Sequence, residues 1–549
     1  MIQQTTLAGE APASPVVAGA PTRSERWSAR VFAVAVIAAL PLILWFGRDH
    51  WFFLDEWFVL TRDGLTSPGY LDGYNGHWIT LVRLDYRLNF ELWGLRSYLP
   101  YQVPVVLAHL VAAVLLRQVI CRLGVRAWIA TSAALAFLFF GSGRSNMVFG
   151  FQLSLTGSLA CGLALFLLAD GPRKVIRRDW WVLGIGVVGL MTSSAFPAIL
   201  VGFAVTTLVR RGVPVAALYA GSLGAIYLAW YARYGGDTAV PLRLTGQTVR
   251  FAGRMFWAVF DALAQGGIGA LLVAVAAVGL AAALRRAWRS GTWADAALPL
   301  GLAVGWLAFA GATALARAHV EILANTYDSD RYIHVSAALL LPLVASGAEV
   351  LARRRALLGA AALAPLVIGL PGNLDELAHS EPVLRGNRQL VFAMAHSPFI
   401  DEVPPGTRST SVGGLFDVPL TTGWLARQAA AGRIPEPDTA DPTLHLNATN
   451  WVVLTQDPGS DEHPACPDLT SPRTMTLRAG ERLPFDGTVH VTVTDGTNES
   501  PPRPFQGDDG GPIVALAGPV DVVVRPVLAQ PAGLCATDGS PGTPELSRR

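Results

Sequence analysis

Two adjacent carboxylates, Asp55 and Glu56, are the residues of this chain best suited to chemistry. They lie a few residues past the first apolar stretch, inside the aromatic segment from Trp51 to Trp57. Ionisable side chains at a membrane face are costly to keep and therefore indicate a functional site. A carboxylate there can accept the proton of an attacking hydroxyl group, so we look for a catalytic base at this pair.

Further ionisable residues are concentrated in three polar segments between apolar stretches. Segments that are distant in sequence can build one site when they share one face of a membrane. The first segment carries Asp55, Glu56, Asp72, His77, Arg83, Asp85 and Arg87; the second carries Arg233, Asp237, Arg254 and Asp261; the third carries Arg317, His319, Glu321, Asp328, Asp330 and Arg331.

The composition is typical of a membrane protein with many spans. Of 549 residues, 52% are hydrophobic and only 15% are charged, and the mean hydropathy is +0.40. These values exclude an ordinary soluble enzyme. The net charge of +2 is small, and the basic residues are better explained by membrane topology than by nucleic-acid binding.

Basic clusters and apolar stretches together predict eleven membrane spans. Arginine and lysine collect in cytoplasmic loops, and each span needs about 20 residues. Arg23, Arg26 and Arg30 therefore place the N-terminus in the cytoplasm, with residues 1–28 disordered and the first span retained as an anchor. The three polar segments then lie on the outer face. The predicted spans are Val31 to Phe46, Val103 to Leu116, two within Ala127 to Ala169 that turn at Gly141 to Asn146, two short ones within Trp180 to Val209 that turn at Thr192 to Ser194, Val213 to Tyr231, Ile268 to Leu284, Ala294 to Ala314, Ile333 to Leu351 and Ala356 to Leu370.

The C-terminal third of the chain has a different composition, rich in Pro, Gly, Thr and Asp. Apolar or alternating runs at Trp451 to Thr455, Thr488 to Thr494 and Val520 to Val524 predict strands separated by turns. The fold class that follows is a multi-pass α-helical membrane domain over residues 29–372. A β-rich, sandwich-like extracytoplasmic domain follows over residues 373–549.

Cysteine use agrees with an extracytoplasmic tail. Cys466 and Cys535 both fall in this tail, where an oxidising compartment would allow them to pair. Two unpaired thiols are the alternative. Cys121 and Cys161 lie near or in the membrane and are interpreted as packing residues.

The first polar segment contains an amphipathic helix. From Trp78 to Trp93, apolar residues alternate with Arg83, Arg87 and Glu91 at helical spacing, which is typical of a helix lying at the membrane interface. Trp78 then lies at headgroup depth. It belongs either to an aromatic belt or to a sugar-stacking surface.

These features resemble the GT-C glycosyltransferases, which have an acidic pair in the first outer loop, a short interfacial helix, a many-span core and a soluble C-terminal domain. Four short segments, Leu54 to Trp57, Tyr74 to Trp78, Gly150 to Leu153 and Ser329 to Tyr332, also resemble those of uncharacterised actinobacterial membrane proteins of this type. The resemblance covers roughly residues 30–370. It implies transfer of a sugar from a polyprenyl-phosphate carrier to a cell-envelope glycan, lipid or protein.

The resemblance also implies roles for individual residues. Asp55 matches the family's base position best, and Glu56 is the alternative base, or else orients the acceptor or holds a cation. The departing lipid phosphate needs fixed positive charge, and the planar fork of a guanidinium suits phosphate. Arg331 is the leading candidate for this role, with Arg83 and Arg317 behind it. The other candidate substrate-binding residues are Arg83, Arg317, His77, Trp78 and Tyr332.

Each of these residues could instead have a simpler structural role. The arginines could contact lipid headgroups or pair with a neighbour such as Asp330, and His77 could be a structural capping residue. We expect no obligatory metal or cofactor, although Asp55, Glu56 and His77 offer hard ligands for an optional divalent cation. The absence of a phosphate-binding loop motif gives no indication of ATP use.

Two other function classes stay open. A transporter or flippase for a lipid-linked glycan would place ionisable residues inside its spans and often contains an internal repeat. The predicted spans are almost free of charge, and the chain has no recognisable repeat of halves. A non-catalytic envelope-assembly protein whose β-rich domain binds glycan would predict that Asp55 is dispensable.

Overall fold

The computed structural model describes residues 22–61, 69–235, 243–320, 323–380, 382–408, 420–457, 466–506, 511–527, 532–534, 537–538 and 544–545. The first helix begins at Arg23, where a capping box forms: Thr22 Oγ1 accepts a hydrogen bond from Glu25 N, and the Glu25 carboxylate accepts one from Thr22 N. Such a cap satisfies two amide groups that a helix start leaves unpaired. Residues 23–28 are therefore helical, and the predicted disorder is wrong for them. The rest of that prediction, residues 1–21, lies outside the described residues.

Helices make up most of the described chain as far as residue 377. They are α1 (Arg23–Phe46), α2 (Asp55–Thr61), α3 (Thr80–Trp93), α4 (Leu99–Arg122), α5 (Ala127–Leu138), α6 (Ser145–Val148), α7 (Leu153–Leu168), α8 (Arg178–Leu190), α9 (Phe196–Arg211), α10 (Val213–Tyr234), α11 (Gly246–Ala264), α12 (Gly269–Ser290), α13 (Ala297–Arg317), α14 (Asp330–Arg354), α15 (Ala356–Ile368) and α16 (Leu370–Leu377).

By length and composition, eight helical segments of the described chain are able to cross a membrane. This confirms a multi-pass helical membrane architecture. Each of the eleven predicted spans contains a helix. Helices α8 and α9 have only 13 and 16 residues, in agreement with the two short spans predicted there. Helix α5 has 12 residues, and all three are shorter than a full crossing requires. The polar segment expected after α10 contains a helix that the sequence analysis did not predict, α11.

Close contacts with neighbouring helices hold α13, which ends at Arg317, and α14, which contains Arg331. A Cβ at Gly202 of α9 would lie 2.3 Å from the carbonyl oxygen of Gly301 in α13. A Cβ at Gly347 of α14 would lie 1.8 Å from the carbonyl oxygen of Val275 in α12. Small residues allow such close approach between membrane helices. Helix α14 is the central one, since every residue from Tyr332 to Glu349 is buried.

The C-terminal part begins with helices and continues as antiparallel sheets. One sheet has the order β1-β6-β3, another has the order β2-β7-β4-β5 with β8 also paired to β4, and β9 pairs with β10. The elements are α17 (Pro382–Ala395), α18 (Thr422–Ala430), α19 (Pro442–Val453), β1 (Leu454–Gln456), β2 (Arg473–Leu477), β3 (Arg482–Leu483), β4 (Phe485–Val493), β5 (Arg503–Gln506), β6 (Ile513–Ala515), β7 (Val520–Pro526), β8 (Ala532–Leu534), β9 (Thr537–Asp538) and β10 (Pro544–Glu545).

The strand predictions are confirmed for β4 and β7, whose valines are all buried. The run from Trp451 to Thr455 differs, because its first three residues end helix α19 and only Leu454 and Thr455 belong to β1. A short apolar run does not by itself distinguish a strand from a buried helix end. Cys466 is disulfide-bonded, while Cys535, its predicted partner, lies outside the described residues.

Two hydrophobic cores organise the molecule. The first lies among the membrane helices, and the second joins the segment between α1 and α4 to the C-terminal part. Within the second core, Trp51 packs edge-on against Phe392 at 5.5 Å between ring centroids, and Phe90 stacks on Trp424 at 5.8 Å. The predicted boundary at residue 373 falls inside α16, and the C-terminal part shares its core with the segment that carries Asp55.

Candidate functional site

A cavity of about 290 Å³ brings together residues from all four segments that carry the family resemblance. We call it the Asp55 cavity. Its walls come from α2, the turn before α3, the start of α7, the loop between α8 and α9, α10, α13 and the start of α14. The lining residues are Asp55, Tyr74, Asn75, Gly76, His77, Ile79, Phe151, Gln152, Ser154, Leu155, Ser193, Ser194, Ala195, Ala198, Tyr231, Phe309, Ala312, Thr313, Ala316, Arg317, Arg331 and Tyr332.

Asp55 is the first residue of α2 and is only partly buried. The residue before it, Leu54, has a φ of +43°, a conformation that costs energy for a branched side chain and is enriched at functional sites. The Tyr74 hydroxyl donates a hydrogen bond of 2.5 Å to Asp55 Oδ1. No described residue hydrogen-bonds to Asp55 Oδ2, so one carboxylate oxygen is available to a ligand.

A tight turn presents Tyr74 and His77 to the cavity. Its central residues Asn75 and Gly76 have φ values of +47° and +74°, as a type I′ turn requires, and Asn and Gly are the residues that adopt them most easily. The backbone of Tyr74 and His77 exchanges hydrogen bonds of 3.0 and 2.8 Å. Ser194 holds the turn from the α8–α9 loop, because its hydroxyl donates to the Gly76 carbonyl at 2.9 Å.

Arg317 and Arg331 give the cavity its positive charge. Neither guanidinium forms an ion pair with any described residue, and the only side-chain hydrogen bond of Arg331 goes to Ser329 Oγ at 3.4 Å. The neighbouring carboxylate of Asp330 is occupied elsewhere, since it accepts hydrogen bonds from Ser145 and from the Arg331 backbone amide. The ion pair with Asp330 that we considered for Arg331 is therefore not formed, and two guanidiniums line the cavity without a carboxylate partner.

His77 is a neutral group in this setting. Burial, and then the positive charges of Arg317 and Arg331, lower its pKa to about 4. Its Nδ1 is buried and has no hydrogen-bond partner among the described residues. A neutral imidazole beside two guanidiniums can exchange a hydrogen bond with a ligand without adding charge.

Glu56 lies outside the cavity, although it is adjacent to Asp55 in sequence. Its carboxylate is fully buried and accepts hydrogen bonds from the hydroxyls of Tyr86 and Tyr98 and from the amide of Phe53. Burial raises its pKa to about 8. The surrounding protein occupies both oxygens of Glu56, whereas Asp55 has one carboxylate oxygen available to a ligand.

Trp78 and Arg83 also lie outside the cavity lining. Trp78 is buried and stacks on Trp230 with ring centroids 5.1 Å apart and an angle of 4° between the planes. Arg83 is buried, and its guanidinium donates to the carbonyl oxygens of Gly69 and Asp72 at 2.6 and 2.5 Å. Of the eight predicted site residues, the structure thus brings together Asp55, His77, Arg317, Arg331 and Tyr332.

Several residues that complete the site were not predicted from the sequence. Tyr74 orients the Asp55 carboxylate, Ser194 fixes the turn, and Phe151 and Tyr231 supply aromatic lining. A signal was available for some of them. Tyr74 and Phe151 lie in segments that carry the family resemblance, and Ser194 lies at the predicted turn between two short spans.

No group of three or more His, Cys, Asp or Glu residues suited to a metal ion occurs in the described part of the chain. Comparison of the chain with protein-family models, with curated proteins and with solved structures found no match. The case for a function therefore rests on the geometry of the Asp55 cavity.

Proposed function

We propose that this protein is a GT-C type glycosyltransferase that moves a sugar from a polyprenyl-phosphate carrier to a cell-envelope glycan, lipid or protein. One observation carries the proposal: a carboxylate with an available oxygen and two guanidiniums without carboxylate partners line the same cavity. Transfer from a lipid phosphate needs both kinds of group, a base for the acceptor and fixed positive charge for the departing phosphate.

The proposed reaction is a single displacement. The acceptor hydroxyl attacks the anomeric carbon and passes its proton to Asp55 Oδ2, while Tyr74 holds the other carboxylate oxygen. The bond between the anomeric carbon and the phosphate oxygen breaks, and its electron pair leaves with the phosphate. Arg317 and Arg331 stabilise that charge. One displacement inverts the configuration at the anomeric carbon.

The size and lining of the cavity support one sugar and its phosphate as occupants. Its volume of about 290 Å³ lies near the lower end of small-molecule sites. Phe151, Tyr231 and Tyr332 offer aromatic faces, and Gln152, Ser193 and Thr313 offer hydrogen-bonding groups. Only the terminal residue of a long acceptor glycan would therefore approach the cavity, while the rest of the glycan would lie outside it.

The proposed orientation follows from the distribution of basic residues. The arginines at the start of α1 and those at the ends of α12 and α14 support a cytoplasmic location for these helix ends. The Asp55 cavity and the C-terminal part then lie on the extracytoplasmic side of the plasma membrane. Lipid-carried sugars are available there, which supports a polyprenyl-phosphate donor.

A membrane assay with radiolabelled polyprenyl-phosphate sugars tests the proposal. We expect Asp55→Asn to lower the transfer rate by about 10²–10⁴-fold, the usual contribution of a general base. Asp295→Asn is the matched control, because this substitution removes the same charge at an exposed position outside the cavity. Both variants should melt at the wild-type temperature in detergent.

Full transfer activity in Asp55→Asn would refute Asp55 as the base. The absence of transfer from every polyprenyl-phosphate sugar by the wild-type chain would refute the reaction class. An equal loss of activity in Asp55→Asn and Asp295→Asn would show that the assay reports charge or folding rather than catalysis.

Two buried histidines favour a transporter as the second candidate. His109 of α4 and His334 of α14 lie in membrane-spanning helices, and their rings are joined by a 3.1 Å hydrogen bond. Intramembrane ionisable residues are often parts of transport pathways. Translocation of a lipid-linked glycan in proteoliposomes, abolished by His334→Phe and retained by Asp55→Asn, would support this candidate over the transferase.

A further inference from the structure

A second cavity, of about 390 Å³, lies between the membrane helices and the C-terminal part. We call it the arginine pocket. It lies on the same side of the membrane helices as the Asp55 cavity, because the chain from α1 to α4 contributes to both. The lining residues are Leu44, Gly47, Arg48, Asp49, His50, Trp51, Arg96, Ser97, Tyr98, Leu99, Gln102, Arg385 and Arg388.

The charge of the arginine pocket is strongly positive. Four arginines line it, against one carboxylate among its described lining residues, Asp49. Asp49 pairs with Arg385 at 2.8 Å and lies 4.0 Å from Arg48. The lining residues therefore carry three more positive than negative charges, and one of these positive charges, on Arg388, lies near a carboxylate outside the lining.

Arg96 and Arg388 are held in place largely by backbone oxygens. Arg96 donates to the carbonyl of Gly432 at 3.0 Å, and Arg388 donates to the carbonyl of Arg96 at 3.4 Å. Arg388 also lies over the ring of Trp51 at 5.3 Å and 3.7 Å from an exposed carboxylate, that of Asp438. These contacts position the guanidiniums but leave much of their charge uncompensated.

A buried amide in the wall points independently to a ligand. Gln102 is only 1% exposed, and its Nε2 has no hydrogen-bond partner among the described residues. A buried donor without a partner destabilises the protein. An acceptor atom inside the pocket would satisfy this donor.

The position of the pocket identifies the class of ligand. It lies where α1 ends and α4 begins, two helices able to cross the membrane, and so at headgroup depth. Trp45 and Leu99, 61% and 50% exposed, extend the apolar helix surface up to the pocket. Arg48 lies over the Trp45 ring at 4.1 Å. A ligand with a phosphate and acyl chains would contact the guanidiniums and this apolar surface together.

We propose that the arginine pocket binds the phosphate headgroup of an anionic phospholipid and so connects the C-terminal part to the membrane. Arg48 and Arg96 come from the membrane part, while Arg385 and Arg388 come from α17. One phosphodiester group bridges the two sets. This site is separate from the proposed transfer reaction and does not depend on it.

Native mass spectrometry of the full chain in detergent, titrated with phosphatidylglycerol, tests the proposal. We expect the double variant Arg385→Ala/Arg388→Ala to bind phosphatidylglycerol at least about tenfold more weakly than the wild type, since hydrogen bonds to charged groups are lost. The matched control is Arg285→Ala/Arg286→Ala, which removes two exposed arginines near the end of α12. The control should bind like the wild type.

A single variant keeps the test valid if the double variant fails to fold. Arg48→Ala removes a side chain that is 48% exposed and should weaken binding while leaving the melting temperature unchanged. Equal lipid retention by the wild type and the pocket variants, or an equal loss in the α12 control, would overturn the proposal.

Two further titrations distinguish the source of the phosphate. Phosphatidylcholine carries the same phosphodiester with a compensating positive charge and should bind more weakly than phosphatidylglycerol. Displacement of phosphatidylglycerol by an equal concentration of inorganic phosphate would show that the acyl chains contribute nothing and would overturn the assignment to a lipid. Failure of inorganic phosphate to compete would support it.

Discussion

The two ends of the α8–α9 hairpin use charge in opposite ways. At its base, the carboxylate of Asp179 pairs with both terminal nitrogens of Arg211 at 2.8 and 2.9 Å and also accepts a hydrogen bond from Tyr219 at 2.6 Å. Asp179 and Arg211 are almost completely buried. At its tip, Ser193 and Ser194 line the Asp55 cavity, where the nearby charged groups lack such partners.

The two ends differ in whether their charged side chains are paired within the protein or remain available to a ligand. Asp179 and Arg211 connect α8 to α9, and their hydrogen-bonding groups are occupied by each other and by neighbouring residues. They are therefore not available to a ligand. Asp55, Arg317 and Arg331 each retain hydrogen-bonding capacity that no described residue uses. A ligand would complete these groups, and substitutions at the two ends should therefore have different consequences.

The largest effect should follow from breaking the saturated pair. Asp179→Ala leaves the Arg211 guanidinium buried without a counter-charge, which should lower the free energy of unfolding by about 3–5 kcal/mol. Thermal unfolding in detergent measures the loss. Transfer activity per folded molecule should stay near the wild-type value, and an activity loss without a stability loss would contradict the distinction.

Next in size is the removal of an unpaired cavity charge. Arg331→Ala should lower the transfer rate by about 10–10²-fold, because a charge-assisted hydrogen bond to the phosphate is lost. The melting temperature of Arg331→Ala should equal that of the wild type, because no described carboxylate loses an ion-pair partner. Arg354→Ala, an exposed arginine at the other end of α14, is the control. A stability loss specific to Arg331→Ala would assign this arginine a structural role.

A smaller effect is expected at the strained turn of the cavity. Asn75→Ala places an alanine at a φ of +47°, which should cost about 1 kcal/mol or slightly more of stability. It should also raise the KM for the donor, because the turn presents Tyr74 and His77. Asn75→Gly tolerates the same backbone and should behave like the wild type. Equal behaviour of the two variants would show that the turn is not under strain.

The last expected effect is a pH dependence of stability that comes from Glu56. Its pKa is raised from 4.5 to about 8 by burial, so the folded protein holds a proton that the unfolded chain has lost. This contribution to stability is complete below pH 4.5 and is lost as the pH rises through about 8. The lowered pKa of His77 acts in the opposite direction, but only below its unfolded value of 6.5.

Burial also raises the pKa of Asp85 to about 7, so the contribution of Glu56 is isolated by comparing the unfolding of the wild type and Glu56→Gln between pH 6.5 and 8.5. We expect wild-type stability to fall across this range and Glu56→Gln to show a weaker slope. Identical slopes in the two proteins would mean that Glu56 titrates normally and that its surroundings are more polar than the structure indicates.

Much of the architecture could be predicted from the sequence. Long apolar runs and basic clusters predicted the helices that build the membrane part, since hydropathy and charge placement act locally along the chain. The short lengths of α8 and α9 were also predictable, because basic residues at both ends of Trp180 to Val209 require two crossings within one short apolar stretch. The amphipathic pattern of α11 lay in a segment that we interpreted only as polar.

The site could be predicted in outline but not in its details. Asp55 and Glu56 are neighbours in sequence, yet successive residues of a helix point about 100° apart, and only the fold shows which one faces the cavity. Arg83 resembles Arg331 as a candidate from sequence, but nearby carbonyl oxygens occupy its guanidinium. Such partners depend on tertiary contacts that no local pattern reports.

The shared second core has a consequence for how the protein is made. The segment that carries Asp55 is synthesised early, but Trp51 packs on Phe392 and Phe90 packs on Trp424, residues that the ribosome adds more than 330 positions later. Until then the aromatic side chains of the early segment lack their permanent neighbours. A chain that stops before α17 would therefore contain every residue that lines the Asp55 cavity, but it would lack the aromatic residues against which the Asp55 segment packs.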